Sequence, residues 1–138
     1  MNKLISLIAA FLLIFSLPLS AEEKQYQLSS HILDIQSGIP AQGVRISLHK
    51  LDQNKQWVKV DERTTDSNGR VKDFLEKKAS EENKGIYKLT FHVKDYFLSH
   101  KQDTFYPFIE VVFEIKDDGH YHVPITLSAY GYSTYRGN

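Results

Sequence analysis

Apolar and polar residues alternate along several stretches of the chain, a pattern typical of β-strands with one buried face. In residues 43–51, Val44, Ile46 and Leu48 fall on one face of an extended strand, and polar or charged residues fall on the other. Residues 109–116 alternate in the same way. The strands that this pattern predicts cover residues 27–35, 43–51, 56–65, 70–74, 85–93, 109–116 and 120–129.

Turn signals separate the predicted strands. Asp66-Ser67-Asn68-Gly69 is a strong one, because Asn-Gly tolerates positive φ, and Asp117-Asp118-Gly119 precedes the last predicted strand. Residues 95–101 do not alternate and predict a short helix with Asp95 as its N-cap. Seven or eight short strands with at most one helix predict an all-β fold, a two-sheet antiparallel sandwich with one short helix.

The first 21 residues carry a different pattern, which predicts a secretory signal peptide. Lys3 is followed by an almost uninterrupted apolar run over residues 4–15, and then by a proline and small residues ending at Ala21. We expect cleavage after Ala21, export to the periplasm, and one domain formed by residues 22–138. An uncleaved membrane anchor is the alternative, because residues 4–19 are only slightly too short to span a bilayer.

Composition argues against a nucleic-acid partner and, after signal cleavage, against a membrane partner. The chain has 17 basic and 17 acidic residues, and loss of Lys3 leaves 16 against 17, so no strongly charged surface is implied. The sequence has no cysteine. An exported domain without disulfides needs a core that suffices alone, or it needs oligomerisation.

Strand parity predicts which way the histidines of the last strand face. Every second residue from Tyr121 to Leu127 is apolar, so this set belongs to the core. His120 and His122 have the opposite parity and therefore face outward.

The same reasoning applies to His31 in the first strand. Leu28 and Ile32 are the expected core pair, which leaves His31 and Leu33 on the outer face. If the two strands lie in one sheet, His31 and His122 share an outer surface that is partly apolar, which indicates burial against another subunit.

Taken alone, each of these side chains has an ordinary explanation. A single outward histidine on a sandwich is usually a solvated residue, and Arg70 directly follows a turn, where charged side chains normally contact water. His120 and His122 fall on one strand face and resemble the beginning of a metal site, but no further ligand stands at supporting spacing. We therefore expect no metal. With no Gly-x-Ser-x-Gly elbow and no glycine-rich phosphate loop, the sequence supports neither covalent catalysis nor nucleotide binding.

Three blocks of the sequence carry a family resemblance. They are Leu28-Ser-Ser-His31-Ile-Leu-Asp34 with Gly38-x-Pro40-Ala41, then Asp66-x-x-Gly69-Arg70, and finally His120-Tyr-His122-Val-Pro124 with Tyr130-Gly-Tyr-Ser-Thr-Tyr135-Arg136-Gly137. In order and spacing they resemble the signatures of the transthyretin-related 5-hydroxyisourate hydrolases. The resemblance implies a prealbumin-like (transthyretin-like) sandwich.

The resemblance also implies an activity and a site. The expected reaction is hydrolysis of 5-hydroxyisourate to 2-oxo-4-hydroxy-4-carboxy-5-ureidoimidazoline in urate degradation, without a cofactor. His31, Arg70 and His122 are the expected catalytic residues, and either histidine can be the general base. His31 and Arg70, together with Tyr135, Arg136 and Gly137, are expected to bind the substrate. The expected assembly is a homotetramer, a dimer of dimers, with the site in a channel between the dimers.

Two positions depart from the family pattern. Ala129 stands where the family usually has proline, and Asn138 replaces a terminal serine. An amide still donates and accepts hydrogen bonds, so we expect activity to survive this loss of a hydroxyl. Transthyretin itself has the same scaffold but lacks the histidines, the arginine and the Tyr-Arg-Gly tail. A non-catalytic small-molecule carrier or envelope interaction module on this scaffold is the alternative function.

Overall fold

Nine strands and one helix follow one another along residues 14–138, the part of the chain that the computed structural model describes. They are β1 (Tyr26–Asp34), β2 (Ile39–Pro40), β3 (Arg45–Leu51), β4 (Trp57–Thr64), β5 (Arg70–Glu76), β6 (Gly85–Phe91), α1 (Lys94–Ser99), β7 (Ile109–Ile115), β8 (Tyr121–Ser128) and β9 (Gly131–Thr134).

The strands form two sheets. In the first sheet β1 is central: it pairs with β8 on one side and with β5 and β2 on the other, and β9 pairs with β8. The second sheet has the order β4-β3-β6-β7. The described pairs are antiparallel except for β1 with β8, which run parallel. The predicted two-sheet sandwich of the transthyretin-like type is confirmed, with this one parallel pair inside it.

The core lies between the two sheets and is built largely from the inward residues of β1, β3 and β5–β8. Leu28 and Ile32 of β1 are fully buried, as are Ile46 and Leu48 of β3. In β8 the whole set of alternate residues from Tyr121 to Leu127 is buried. These observations confirm the predicted parity of β1, β3 and β8, because one face of each of these strands packs on the opposite sheet while the other faces outward.

Several elements differ from the sequence-based expectation. The two-residue strand β2 and the strand β9 were not predicted. The helix is present, but Asp95 is not its N-cap: Val93 occupies that position with no side-chain capping bond, and Asp95 lies in the first turn. The helix starts earlier because Val93 and Phe97 are both fully buried, and the Phe97 N–H bonds to the Val93 carbonyl. Apolar anchoring, not capping, sets this helix start.

The N-terminal segment stands apart from the sandwich. Residues 14–25 have no regular secondary structure, and apolar side chains such as Leu19 are almost fully exposed. Most of the predicted signal peptide, residues 1–13, lies outside the described residues. Among the residues described, no helix is long and apolar enough to cross a membrane.

Candidate active site

A tight turn positions Arg70 at the start of β5. The Asp66 carboxylate accepts hydrogen bonds from the N–H groups of Asn68 and Arg70, at 2.8 and 3.0 Å. The Gly69 N–H donates to the Asp66 carbonyl at 2.9 Å, which closes the turn. These backbone bonds also lower the pKa of Asp66, so the carboxylate stays ionised and the turn stays closed.

Gly69 brings this turn against β1. Its φ is +68°, and a Cβ at this position would lie 2.6 Å from the Ile32 carbonyl oxygen and 2.9 Å from Cβ of Pro40. The Gly69 carbonyl accepts a hydrogen bond from the Ile32 N–H at 2.9 Å. Glycine is required here both for its backbone conformation and for the close approach, and the approach fixes Arg70 beside β1.

An irregularity in the β1–β5 ladder then aligns Arg70 with His31. Leu28 pairs with Phe74, but Ser30 pairs with Val71, so β5 contains one extra residue between these two pairs. The register beyond this bulge places Arg70 directly opposite His31. A regular ladder would have placed Val71 there. Bulges are common next to active sites because they redirect a side chain in this way.

His122 reaches the same face from β8. In the parallel β1–β8 ladder Ser29 pairs with His122, and His31 pairs with Pro124. His31 and His122 are therefore diagonal neighbours on adjacent strands, where Cα atoms are about 7–8 Å apart. Both side chains have the outward parity and are half-buried. Within one chain the fold brings His31, Arg70 and His122 together on the outer face of the first sheet.

The ring of His122 is held on two sides. Its Nδ1 lies 2.8 Å from the hydroxyl oxygen of Ser29. On the other side, the Gly137 N–H donates to the His122 carbonyl at 2.8 Å, and a Cβ on Gly137 would lie 2.5 Å from Cδ2 of the ring. Any residue with a Cβ would collide with the His122 ring here, so position 137 requires glycine for the C-terminal tail to cross His122.

Tyr135 and Arg136 are also predicted to bind substrate. They line a groove of about 370 Å³ between the tail and β7. The Arg136 guanidinium carbon lies 4.4 Å from the ring centre of Tyr121, a cation–π geometry. Of the three tail residues, Gly137 contacts a histidine, through its bridge to His122 and its close approach to the His122 ring. A substrate contact for Tyr135 and Arg136 stays a prediction.

The electrostatics of the outer face favour neutral histidines. The pKa of His31 is lowered by burial first and then by the positive charge of Arg70. The pKa of His122 is lowered by burial, by Arg70 and then by His31. Both imidazoles are thus held in the neutral form, which can accept a proton, beside a permanent cation. Such a pair suits hydrolysis. The base can activate water, and the cation can stabilise the anion that forms when water attacks a carbonyl group.

The sequence interpretation missed Ser29 as a site residue. Its hydroxyl oxygen contacts both His122 and His120, whose Nε2 lies 2.9 Å away. Strand parity could have found it, because residues two apart on a strand share a face and Ser29 precedes His31 by two.

In the described part of the chain no group of three or more His, Cys, Asp or Glu is placed to hold a metal ion.

Several known proteins are similar to this chain over most of its length. A protein-family model described as "HIUase/Transthyretin family" matches residues 28–137. A 5-hydroxyisourate hydrolase of Salmonella dublin is 47% identical over 112 residues, which cover 80% of this chain and 80% of that protein. The solved 5-hydroxyisourate hydrolase of Klebsiella pneumoniae superposes with a TM-score of 0.68 at 31% identity, over 85% of this chain and 100% of that one. Sea bream transthyretin in complex with thyroxine superposes with a TM-score of 0.74 at 26% identity, over 80% and 94%.

Proposed function

Because the chain belongs to the HIUase/Transthyretin family, we propose that it is a hydrolase of 5-hydroxyisourate and acts in urate degradation. The observation that carries this proposal is the cluster of His31, Arg70 and His122 on one outer sheet face. Relatives that bear the name 5-hydroxyisourate hydrolase support the choice of substrate. The product is 2-oxo-4-hydroxy-4-carboxy-5-ureidoimidazoline.

The proposed reaction opens the ring of the substrate by hydrolysis of a cyclic amide. One of the two histidines takes a proton from water as the water oxygen attacks the amide carbonyl carbon. Arg70 donates hydrogen bonds to the oxygen on which negative charge develops, and to the urate-like oxygens of the bound ring. The carbon–nitrogen bond then breaks as the histidine returns the proton to the leaving nitrogen, which leaves a carboxylate on one side and a ureido group on the other.

Depressed histidine pKa values suit this role. A general base must be unprotonated at the working pH, and burial first and Arg70 second lower the pKa of His31 and His122 and keep them neutral. The same cation attracts an anionic or electron-rich substrate. In this proposal Arg70 therefore prepares the base before the reaction and stabilises the transition state during it.

The proposed active assembly is a homotetramer. The site lies on an open sheet face of the single chain, with Arg70 exposed, so a second subunit is needed to exclude water from it. Exposed apolar side chains near this face support an interface; Ile35 and Ile39 are 55% and 62% exposed. Strands β7 and β9 end the two sheets of the described chain and each offers an edge for pairing.

The proposed location is the periplasm, after removal of residues 1–21 as a signal peptide. The support is the layout of Lys3, an apolar run and small residues up to Ala21. Mass spectrometry of the protein from a periplasmic fraction should find a mature N-terminus near Glu22. Recovery of the chain from the cytoplasm with Met1 to Ala21 still attached would contradict export.

The decisive experiment follows the ultraviolet decay of freshly made 5-hydroxyisourate, which also decays without a catalyst. Purified protein should shorten the decay in proportion to its concentration, well below stoichiometric amounts. A carrier, the alternative suggested by thyroxine-bound sea bream transthyretin, would leave the decay unchanged or slow it only at stoichiometric protein. Either of these last results would contradict the proposed hydrolase.

A further inference from the structure

We propose that Ser29 and His120 are positioning residues for His122: a hydrogen-bond chain holds His122 as the tautomer that carries its proton on Nδ1, so that Nε2 is the free proton acceptor. The assignment of the tautomer rests on geometry alone. The step from tautomer to turnover rests on the proposed hydrolase function.

The chain begins at the backbone of β1. His120 Nδ1 lies 3.1 Å from the carbonyl oxygen of Tyr26. A carbonyl oxygen only accepts, so Nδ1 of His120 carries the proton. In a neutral imidazole the second nitrogen then has a lone pair and no proton, so His120 Nε2 accepts a hydrogen bond from whatever group faces it.

The group that faces His120 Nε2 is the Ser29 hydroxyl, 2.9 Å away. This hydroxyl has one proton and donates it to His120. The same oxygen lies 2.8 Å from His122 Nδ1. If His122 Nδ1 were also unprotonated, two lone pairs would face each other at this distance. The contact is favourable only if His122 Nδ1 donates to the Ser29 oxygen.

The consequence appears at the far side of the His122 ring. With Nδ1 bonded to Ser29 and the Cδ2 edge packed against Gly137, Nε2 is the ring nitrogen left for a substrate or a water molecule. The positive charge of Arg70 acts against a second proton on this ring. His122 Nε2 is therefore a preformed lone-pair acceptor, and this resolves which nitrogen acts if His122 is the base.

The sequence predicted no catalytic or binding role for His120, which is exposed in the single chain. Its contacts explain why an outward histidine stands two residues before another on the same strand face. His120 sets the direction of the Ser29 hydroxyl, and Ser29 sets the tautomer of His122. Such outer partners of a functional histidine are typically worth about 10–100-fold when they are removed, as known for metal-bound histidines.

The test combines a spectroscopic and a kinetic measurement on the full-length protein as it is purified. Long-range ¹H–¹⁵N correlation spectra of ¹⁵N-histidine-labelled protein at pH 8 distinguish protonated from unprotonated ring nitrogens. In the wild type His122 should show a protonated Nδ1 and an unprotonated Nε2. Ser29→Ala and His120→Ala should each convert this into a mixture with protonated Nε2, and lower kcat about 10–100-fold with little change in KM. Ser29→Thr keeps the hydroxyl and should restore both.

Ser47→Ala is the matched control, because Ser47 makes the same kind of contact with His92 in the second sheet, at 2.9 Å. It should leave the tautomer of His122 and the turnover unchanged. A wild-type His122 protonated on Nε2, or an unchanged tautomer in Ser29→Ala, would overturn the proposal. A wild type with the predicted tautomer but no catalysis would contradict the proposed function while supporting the hydrogen-bond chain.

Discussion

At the scale of single residues, Arg70 acts on its neighbours in two ways. Its charge lowers the pKa of both His31 and His122, and its guanidinium provides fixed donors toward any anion bound on the same face. A lysine would keep the first effect and lose the second, because an ammonium group has no planar fork. Substitutions at this position can therefore separate the effect of the positive charge on the histidine pKa values from the effect of the guanidinium hydrogen bonds.

Arg70→Ala should lower kcat about a hundredfold, since one charge-assisted donor to a developing oxyanion is worth on the order of 3 kcal/mol. It should also move the acid limb of the pH–rate profile. The neutral imidazole is the active base, so activity falls as the pH drops through its pKa, which burial and then the charge of Arg70 hold below the ordinary 6.5. Without Arg70 that pKa rises, so the acid limb of the profile moves to higher pH.

Steady-state kinetics from pH 5 to 9 would measure both effects. Arg70→Lys should keep the acid limb near that of the wild type while its kcat stays well below. The same acid limb in wild type and Arg70→Ala would mean that Arg70 does not control the titrating base, and would contradict the electrostatic role.

At the scale of elements, period-two alternation predicted most strands, because one face of each strand packs on a single core. It predicted the outward direction of His31 and His122 for the same reason. It could not predict the bulge that aligns Arg70 with His31, which depends on pairing with β1. A trace of the bulge is present in the sequence, since the apolar residues Val71 and Phe74 are three apart, whereas strict alternation places core residues two apart.

The other features that the sequence pattern did not predict also depend on pairing between distant segments. Strand β2 has two residues and exists because it pairs with the end of β1, so no local pattern marks it. The bridge between His122 and Gly137 likewise depends on where the tail returns. The sequence resemblance named Gly137 as a site residue, but the reason for a glycine, contact with the His122 ring, is visible only in three dimensions.

The turn before β5 gives a prediction at this scale. Gly69→Ala should be more destabilising than Gly43→Ala, although both glycines have positive φ, at +68° and +78°. A Cβ at Gly43 meets nothing within 4 Å, so that variant carries only the backbone strain of about 1–2 kcal/mol. At Gly69 the added carbon also collides with the Ile32 carbonyl, which adds about 1–3 kcal/mol.

Urea denaturation would compare the free energies of unfolding of the two variants. Gly69→Ala should also lose activity beyond its loss of stability, because the shifted turn moves Arg70 away from His31. Equal destabilisation by the two substitutions, with full activity retained in Gly69→Ala, would show that the close approach to β1 does not position the arginine.

At the scale of the whole molecule, the sandwich separates two outer faces. The first sheet presents the histidine and arginine cluster, while the second presents salt bridges such as Lys59 with Glu62, at 2.8 Å. The pKa of Glu62 is lowered to about 2, first by its hydrogen bonds with Lys59 and Ser47 and then by the positive charges of Lys59 and Arg45. We expect the face that carries the histidine and arginine cluster to be covered by other subunits.

Light scattering should report about four chains per particle, as expected for a closed homotetramer that buries the site face. Dilution should reduce activity when it dissociates the particle, because the single chain leaves Arg70 exposed to water. A stable monomer with full activity would contradict the proposal that assembly completes the site.

The most direct test of the central claim compares two histidines on opposite sheets. His122 lies on the outer face of the first sheet, and His49 lies in β3 of the second. With folding verified by circular dichroism, 5-hydroxyisourate hydrolysis should fall about 10²–10⁴-fold in His122→Ala, the usual contribution of a positioned base. His49→Ala should retain the wild-type rate. Equal damage from both substitutions, or none from His122→Ala, would contradict a hydrolytic site on the first sheet.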